Sequence, residues 1–80
     1  MRATVLVRPK TGILDPQGEA VRASLQTLGF DIGGARVGRL VDLELHAETA
    51  EQAREQAERM CERLLANPLI ESFEIEVEGE

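Results

Sequence analysis

Residues 41–52 read Val-Asp-Leu-Glu-Leu-His-Ala-Glu-Thr-Ala-Glu-Gln, and the architecture of the 80-residue chain can be built outward from them. Apolar residues occupy every second position from Val41 to Ala47, which is typical of a strand with one buried face. Thr49 and Gln52 then form a capping-box sequence, which predicts that a helix begins directly after the strand. This stretch therefore indicates a chain of alternating β and α elements.

Downstream, the capping box predicts a helix over about residues 50–66. Its apolar stripe consists of Ala50, Ala53, Ala57, Met60, Cys61, Leu64 and Leu65. Asn67-Pro68 ends this helix, because a proline disfavours helical geometry in the residue before it. A final strand is predicted over about 69–77, where apolar and acidic residues alternate.

Upstream, residues 2–8 predict the first strand, and a helix is predicted from Pro16 to about Leu28. Asp15 can accept hydrogen bonds from the first free N–H groups of this helix, and Pro16 fits its first turn. Gly29 is a natural terminator, since glycine adopts positive φ without strain. The apolar residues that recur at helical spacing are Val21, Leu25 and Leu28.

The region from 35 to 47 has two interpretations. A tight turn at Gly38-Arg39 would make it a hairpin. That turn would place Arg36 opposite Val41, with a charge on the core face. We therefore expect one long strand, bent or bulged near Gly38, with the hairpin as the alternative.

Together these elements predict one α+β domain covering residues 1–80. We expect a two-layer sandwich in β-α-β-α-β order, with two helices on one face of a small, largely antiparallel sheet of three or possibly four strands. The other face carries Leu6 and Leu40 among charged residues. A small aliphatic core favours self-association, so we expect a dimer or tetramer in which that face or a sheet edge meets another chain.

Charge and hydropathy exclude several classes of protein. The net charge is −6 with a single lysine, whereas nucleic-acid binding requires clustered basic residues. The charge is uneven, +3 over residues 1–41 and −9 over residues 42–80, which suits a protein with two different faces for partners. No signal-like or membrane-spanning stretch is present, so we expect a cytoplasmic protein that binds neither membrane nor nucleic acid.

The chain offers little catalytic chemistry. His46 is the only histidine and lies on the acidic face of its strand, and a metal site would need more nitrogen or sulfur ligands. Cys61 belongs to an apolar stripe, where it should act as a small hydrophobic residue. The glycines lack phosphate-loop spacing. We expect no catalytic, metal-binding or cofactor-binding residue on this chain.

Three strings remain without a catalytic explanation: Gly-Ile-Leu-Asp-Pro-Gln-Gly at 12–18, Arg-Val-Gly-Arg at 36–39 and Leu-Leu-Ala-Asn-Pro at 64–68. In this order and spacing they resemble the PurS family, and the resemblance extends from Val5 to Val77. The sequence departs from the family in a glycine-rich stretch, Asp-Ile-Gly-Gly-Ala, just before the second string.

The resemblance implies a role in de novo purine synthesis. PurS is the small, non-catalytic subunit of phosphoribosylformylglycinamidine (FGAM) synthase, an ATP-dependent ligase. Its glutaminase partner, PurQ, releases ammonia from glutamine, and its synthetase partner, PurL, uses ATP to place that nitrogen on the substrate. ATP and magnesium are therefore expected on the synthetase. PurS would bridge the two partners and assist ammonia transfer.

The resemblance also suggests which residues face those partners. Asp15 to Gly18 would shape a rigid entry to the first helix, and two arginines around a glycine could pair with acidic groups across an interface. The predicted interface residues are Asp15, Pro16, Gln17, Gly18, Arg36, Gly38, Arg39 and Asn67.

Two other functions fit the same pattern of elements. One is a free-standing, ferredoxin-like regulatory module that binds a small ligand at a dimer interface. The other is a pure oligomerisation domain, which would bind neither glutaminase nor synthetase.

Overall fold

The computed structural model describes residues 1–79. In chain order the elements are β1 (Arg2–Pro9), α1 (Pro16–Thr27), β2 (Arg39–Glu44), α2 (Ala50–Met60), which continues into a π-helical turn (Cys61–Leu65), and β3 (Glu71–Val77). The predicted order and the antiparallel sheet are confirmed. Over the described part of the chain the sheet has three strands.

The sheet has β1 in its centre, antiparallel to both neighbours, in the order β2-β1-β3. Val5 lies opposite Val41 on one side and Ile75 on the other. Because side chains alternate along a strand, Ala3, Val5 and Val7 all point to the same face, and all three are buried. This face holds the core.

Helix α2 covers that face along β1 and β3. Its start follows the predicted capping box: the Thr49 hydroxyl accepts from the Gln52 N–H at 3.1 Å. The Gln52 side chain returns to the N–H of Glu48 at 3.0 Å, one residue before the usual capping-box donor. Ala53 and Ala57 are fully buried, and their small side chains let the helix lie close to the strands.

The π-helical turn changes the predicted apolar stripe of this helix. The N–H of Ala66 bonds to the carbonyl of Cys61 at 3.0 Å, five residues back. Cys61 is buried, as predicted, whereas Leu64 is 83% exposed and Met60 is 38% exposed. The wider turn rotates the following residues relative to an α-helix, so the stripe predicted from α-helical spacing is wrong at Leu64. Met60 precedes the turn and is partly exposed on α2 itself.

The second strand is shorter than predicted. We expected one extended element over 35–47, but β2 spans only Arg39–Glu44 and pairs with β1. The hairpin does not form. The N–H of Val37, which could have extended the ladder, donates instead to the Asp15 carboxylate at 2.9 Å.

The prediction that both helices cover the sheet is wrong for α1. This helix contributes no residue to the two core clusters. Val21 is 41% exposed and Leu28 is 72% exposed. The chain is correspondingly long, with principal extents of 49 × 25 × 15 Å. Neither helix is long and apolar enough to cross a bilayer, and the same holds for every helical segment in residues 1–79.

The end of α1 is held against the segment that follows it. The side-chain amide of Gln26 donates to the carbonyl of Ile32 at 3.0 Å, and the N–H of Phe30 donates to the carbonyl of Leu25 at 3.0 Å. We call residues 16–37, which comprise α1 and this returning segment, the α1 arm.

Candidate functional site

The three sequence strings meet at one end of the sheet. The first contact joins the loop after β1 to the turn that precedes β3. The N–H of Lys10 donates to the carbonyl of Ile70 at 2.9 Å, and its ammonium donates to the carbonyl of Pro68 at 2.6 Å. Lys10 precedes the first string by two residues and Pro68 ends the third, so the loop that leads into the first string is held beside the third.

Asp15 joins the first string to the second. One carboxylate oxygen accepts from the N–H of Gly18 at 3.0 Å and caps α1. The other accepts from the N–H of Val37 at 2.9 Å. These N–H donors, with a smaller contribution from the Arg36 charge, lower the pKa of the Asp15 carboxyl, because they stabilise its ionised form.

Two glycines permit the close approach that these bonds require. A Cβ on Gly18 would overlap the carbonyl oxygen of Ala35, and a Cβ on Gly38 would overlap the carbonyl oxygen of Val7. Only glycine fits at either position without movement of the backbone. The two residues therefore set how the α1 arm leaves the sheet.

Arg39 joins the second string to the third. Its guanidinium donates to both carboxylate oxygens of Glu71, at 2.7 and 3.0 Å, and to the carbonyl of Leu65 at 2.5 Å. Glu71 also accepts from the N–H of Asn67 at 2.7 Å. Hydrogen bonding from Arg39 and Asn67 lowers the pKa of the Glu71 carboxyl. Arg39 thus has its acidic partner within its own chain.

The joined strings form a concave surface with apolar edges. A cavity of about 240 Å³ is lined by Ile13, Leu14, Gln17 and Ile70 together with Asp15, Arg39 and Glu71. Leu14 is 80% exposed, and Leu69, next in the chain to Ile70, is 82% exposed. We call the exposed residues Leu14, Gln17, Leu69 and Ile70 the motif surface.

The structure brings most of the predicted interface residues to this end of the sheet. Those that line the cavity are Asp15, Gln17, Gly38 and Arg39. The N–H of Asn67 donates to Glu71, which lines the cavity. Pro16 and Gly18 lie in the first turn of α1. Arg36 does not line this cavity. It lies with Leu6 and Arg8 along two neighbouring concavities, one of which shares Gly38 and Arg39 with the cavity.

Sequence reasoning missed the apolar part of this surface. Leu14, Leu69 and Ile70 lie in loops, outside any period of two or 3.6 residues, so periodicity gave no sign of them. The available signal was the position of bulky aliphatic residues directly beside the proline-containing turns.

The cavity presents exposed apolar side chains beside carboxylates that are already hydrogen-bonded. Its ionisable side chains Arg39 and Glu71 are already paired with each other. His46 is exposed and does not line the cavity. Cys61 is buried, and burial, with the nearby Glu58 and Glu62 charges, raises the pKa of its thiol, so the thiolate is disfavoured. Within residues 1–79, no group of three or more acidic, histidine or cysteine side chains is placed to hold a metal ion.

Comparison with known proteins identifies the family to which the chain belongs. The family model for PurS, phosphoribosylformylglycinamidine (FGAM) synthase, matches residues 2–79. The PurS subunit of phosphoribosylformylglycinamidine synthase from Methanocaldococcus jannaschii is 37% identical over 96% of this chain and 94% of its own. The subunit from Synechocystis sp. is 40% identical over 95% of this chain and 75% of its own.

Solved structures show the same fold. The crystal structure of M. jannaschii PurS, one of the subunits of formylglycinamide ribonucleotide amidotransferase, matches with a TM-score of 0.85 over 96% of this chain and 94% of that chain. A chain in the structure of PurLQS from Thermotoga maritima matches with a TM-score of 0.86 at 31% identity, over 95% of this chain and 94% of that chain. The chain therefore belongs to the PurS family, the small, non-catalytic subunits of FGAM synthase.

Proposed function

We propose that this chain bridges the glutaminase PurQ and the synthetase PurL within FGAM synthase and so assists the transfer of ammonia between them. The observation that carries the proposal is the convergence of three separated sequence strings on one rigid surface with exposed apolar residues. Exposed apolar side chains around a concavity are typical of protein interfaces.

Ammonia transfer gives such a bridge a physical purpose. Ammonia is largely protonated in neutral water, and ammonium has no lone pair with which to attack the activated substrate. A passage closed to solvent keeps the nitrogen neutral, which is a general way of protecting a reactive intermediate. A subunit can contribute by geometry alone, without supplying acid–base groups of its own.

The proposed interface residues have different tasks. Asp15, Gly18, Gly38 and Arg39 shape the surface through bonds within the chain. Gln17 and Asn67, which are exposed, would contact the partners together with the apolar residues of the motif surface. Pro16 fixes the first turn of α1. Arg36 would contact a partner beside the cavity, because it lines the neighbouring concavities.

Membership of an enzyme of purine synthesis supports a cytoplasmic location, with residues 1–80 acting as one domain. A free-standing regulatory module is not favoured, because the family model and the curated relatives are those of FGAM synthase. Calorimetry of the isolated chain with amino acids and nucleotides would detect such a module directly.

The test is co-purification of tagged chain with the glutaminase and the synthetase, in the presence of glutamine and ADP. We expect Leu14→Asp and Leu69→Asp to lose at least one partner while far-ultraviolet circular dichroism stays unchanged, because both side chains are exposed. The matched control is Leu28→Asp, which removes an exposed leucine at the other end of α1, outside the cavity. Loss of partners in the control alone would transfer the interface to the end of α1 and contradict the proposal.

A further inference from the structure

The face of the sheet away from α2 has an acidic end and a basic end. Because side chains alternate along a strand, this face carries Thr4, Leu6 and Arg8 of β1. Asp42 and Glu76 lie opposite Thr4 on the two neighbouring strands and make that end of the face acidic. The other end, around Arg8, is basic.

The basic end contains a concavity of about 340 Å³, which we call the basic concavity. Its polar lining consists of Arg8, Lys10, Thr11, Arg36, Ser72 and Glu74. Three positive charges and one negative charge give this lining a formal charge of +2, within a chain whose net charge is −6. The concavity is therefore a local site of attraction for anions.

The cations of the basic concavity are weakly engaged by their own chain. Arg8 approaches Glu74 only at 4.0 Å, and its side chain is 61% exposed. The ammonium of Lys10 donates to the carbonyl of Pro68, a neutral acceptor that leaves the charge uncompensated. In the part of the chain that the structure describes, no carboxylate lies within ion-pair distance of Arg36.

Asp15 is the one further carboxylate on which the Arg36 charge acts. Both of its oxygens already accept from backbone N–H groups, those of Gly18 and Val37. The guanidinium of Arg36 thus remains available to a ligand.

We propose that the basic concavity binds a phosphate dianion, either free or at the end of a larger molecule. Phosphate carries a charge of about −1.5 to −2 at neutral pH, which matches the formal +2 of the lining. Guanidinium groups bind phosphate through paired hydrogen bonds, and the Lys10 ammonium with the Thr11 and Ser72 hydroxyls supplies further donors. A single carboxylate would leave positive charge and donors unused.

This site is independent of the bridging role, although it borders the motif surface through Pro9, which lines both concavities. It also differs from a free-standing regulatory module, because all of its donors come from one chain and they recognise phosphate alone. The measurement therefore uses the chain without its partners, and its failure would leave the bridging role untouched.

The test is a nuclear magnetic resonance titration of the isotope-labelled chain with inorganic phosphate. We expect saturable shifts of the backbone amide signals of Arg8, Thr11 and Ser72. Absence of saturation at about 10 mM phosphate would overturn the proposal, because it corresponds to a binding free energy too small for a built site. Acetate binding as tightly as phosphate would assign the concavity to carboxylates and would also overturn it.

Single variants locate the ligand. Arg36→Gln should weaken phosphate binding by about tenfold and Glu74→Gln should strengthen it, with unchanged circular dichroism, because both side chains are exposed. The matched control is Arg59→Gln, which removes the same charge from an exposed arginine of α2 outside the concavity. Equal weakening in the control would show that binding follows net charge only, which overturns the site.

Adenosine monophosphate and adenosine distinguish the sources of the phosphate. Tighter binding of the monophosphate than of inorganic phosphate supports a group carried by a larger molecule, and weaker binding supports the free ion. Binding of adenosine itself would show recognition of the nucleoside and would overturn a site that is selective for phosphate.

Discussion

Arg39 at the start of β2 and Glu71 at the start of β3 form a two-pronged ion pair that spans the end of the central strand, with N–O distances of 2.7 and 3.0 Å. The same guanidinium reaches the last turn of the helical segment at the carbonyl of Leu65. One arginine therefore fixes both edge strands and the end of the helix that covers them. Glu71 is only 17% exposed in its side chain, against 49% for Arg39.

This arrangement predicts energetic coupling between the two residues. In a double-mutant cycle of Arg39→Met and Glu71→Gln, followed by urea unfolding, we expect a coupling energy of about 0.5–1 kcal/mol, at the upper end for partly exposed pairs because the geometry is bidentate. Simple additivity of the two single changes would show that the pair contributes nothing beyond its separate members.

Acid should destabilise the chain through Asp15 and Glu71. Hydrogen bonds lower the pKa of both carboxyls in the folded chain. An unfolded chain binds protons on such groups near pH 4, where the folded chain resists protonation. Their stabilising contribution is therefore complete above that pH and is lost as the pH falls through the lowered folded-state values.

The corresponding measurement is the thermal midpoint between pH 6 and pH 2.5. In Asp15→Asn the thermal midpoint should fall less steeply as the pH is lowered, since this change removes one carboxyl that resists protonation. Asp31→Asn, which removes the same charge from an exposed carboxylate of the α1 arm, is the matched control. An equally steep decline in Asp15→Asn would contradict the role of the Asp15 hydrogen bonds.

The glycines separate into two groups with opposite predictions. Gly38→Ala and Gly18→Ala place a methyl group against backbone oxygens, and we expect each to destabilise the fold by about 2 kcal/mol or more. Gly33→Ala meets no atom within 4 Å and has no positive φ. It should be neutral or slightly stabilising, by at most about 1 kcal/mol. Urea unfolding checks all three, and similar losses in all of them would contradict the close-packing explanation.

Cys61 should behave as a structural residue. Its side chain is fully buried in the cluster with Val5 and Val7. Cys61→Ser introduces a hydroxyl into that apolar site and should cost about 1–3 kcal/mol, whereas Cys61→Ala should cost less because it adds no polar group. In the native chain the thiol should react with a thiol reagent only as fast as the fold opens; rapid labelling would contradict its burial.

Sequence patterns were reliable where the structural signal is local in the chain. The alternation from Val41 to Leu45 and the Thr49 cap both gave the right element, because period and capping chemistry are local. They failed at Val37, where a long-range bond to Asp15 replaced strand pairing. They also failed at Leu64, because nothing in the sequence announces the π-helical turn.

The residues of the candidate site show the same difference between local and long-range signals. The cap formed by Asp15 was predicted from local chemistry, and Gly38 and Arg39 were identified through the family resemblance. The bonds that join Asp15 to Val37 and Arg39 to Glu71 cross 22 and 32 positions of the chain. The spacing of apolar residues along the sequence carries no information about such long-range contacts. The position of α1 could not be predicted either. An apolar stripe predicts that one face of a helix is covered, but it does not say whether the same chain provides that cover.

The most direct test of the bridging role compares two nitrogen sources in the reconstituted complex. FGAM formation is measured with glutamine and, separately, with a high concentration of ammonium chloride, which bypasses the glutaminase. We expect Leu14→Asp and Leu69→Asp to lower the glutamine-dependent rate by about tenfold or more and to leave the ammonia-dependent rate close to that of the unmodified complex. Equal rates with glutamine in the variants and the unmodified chain would contradict the bridging role of this surface.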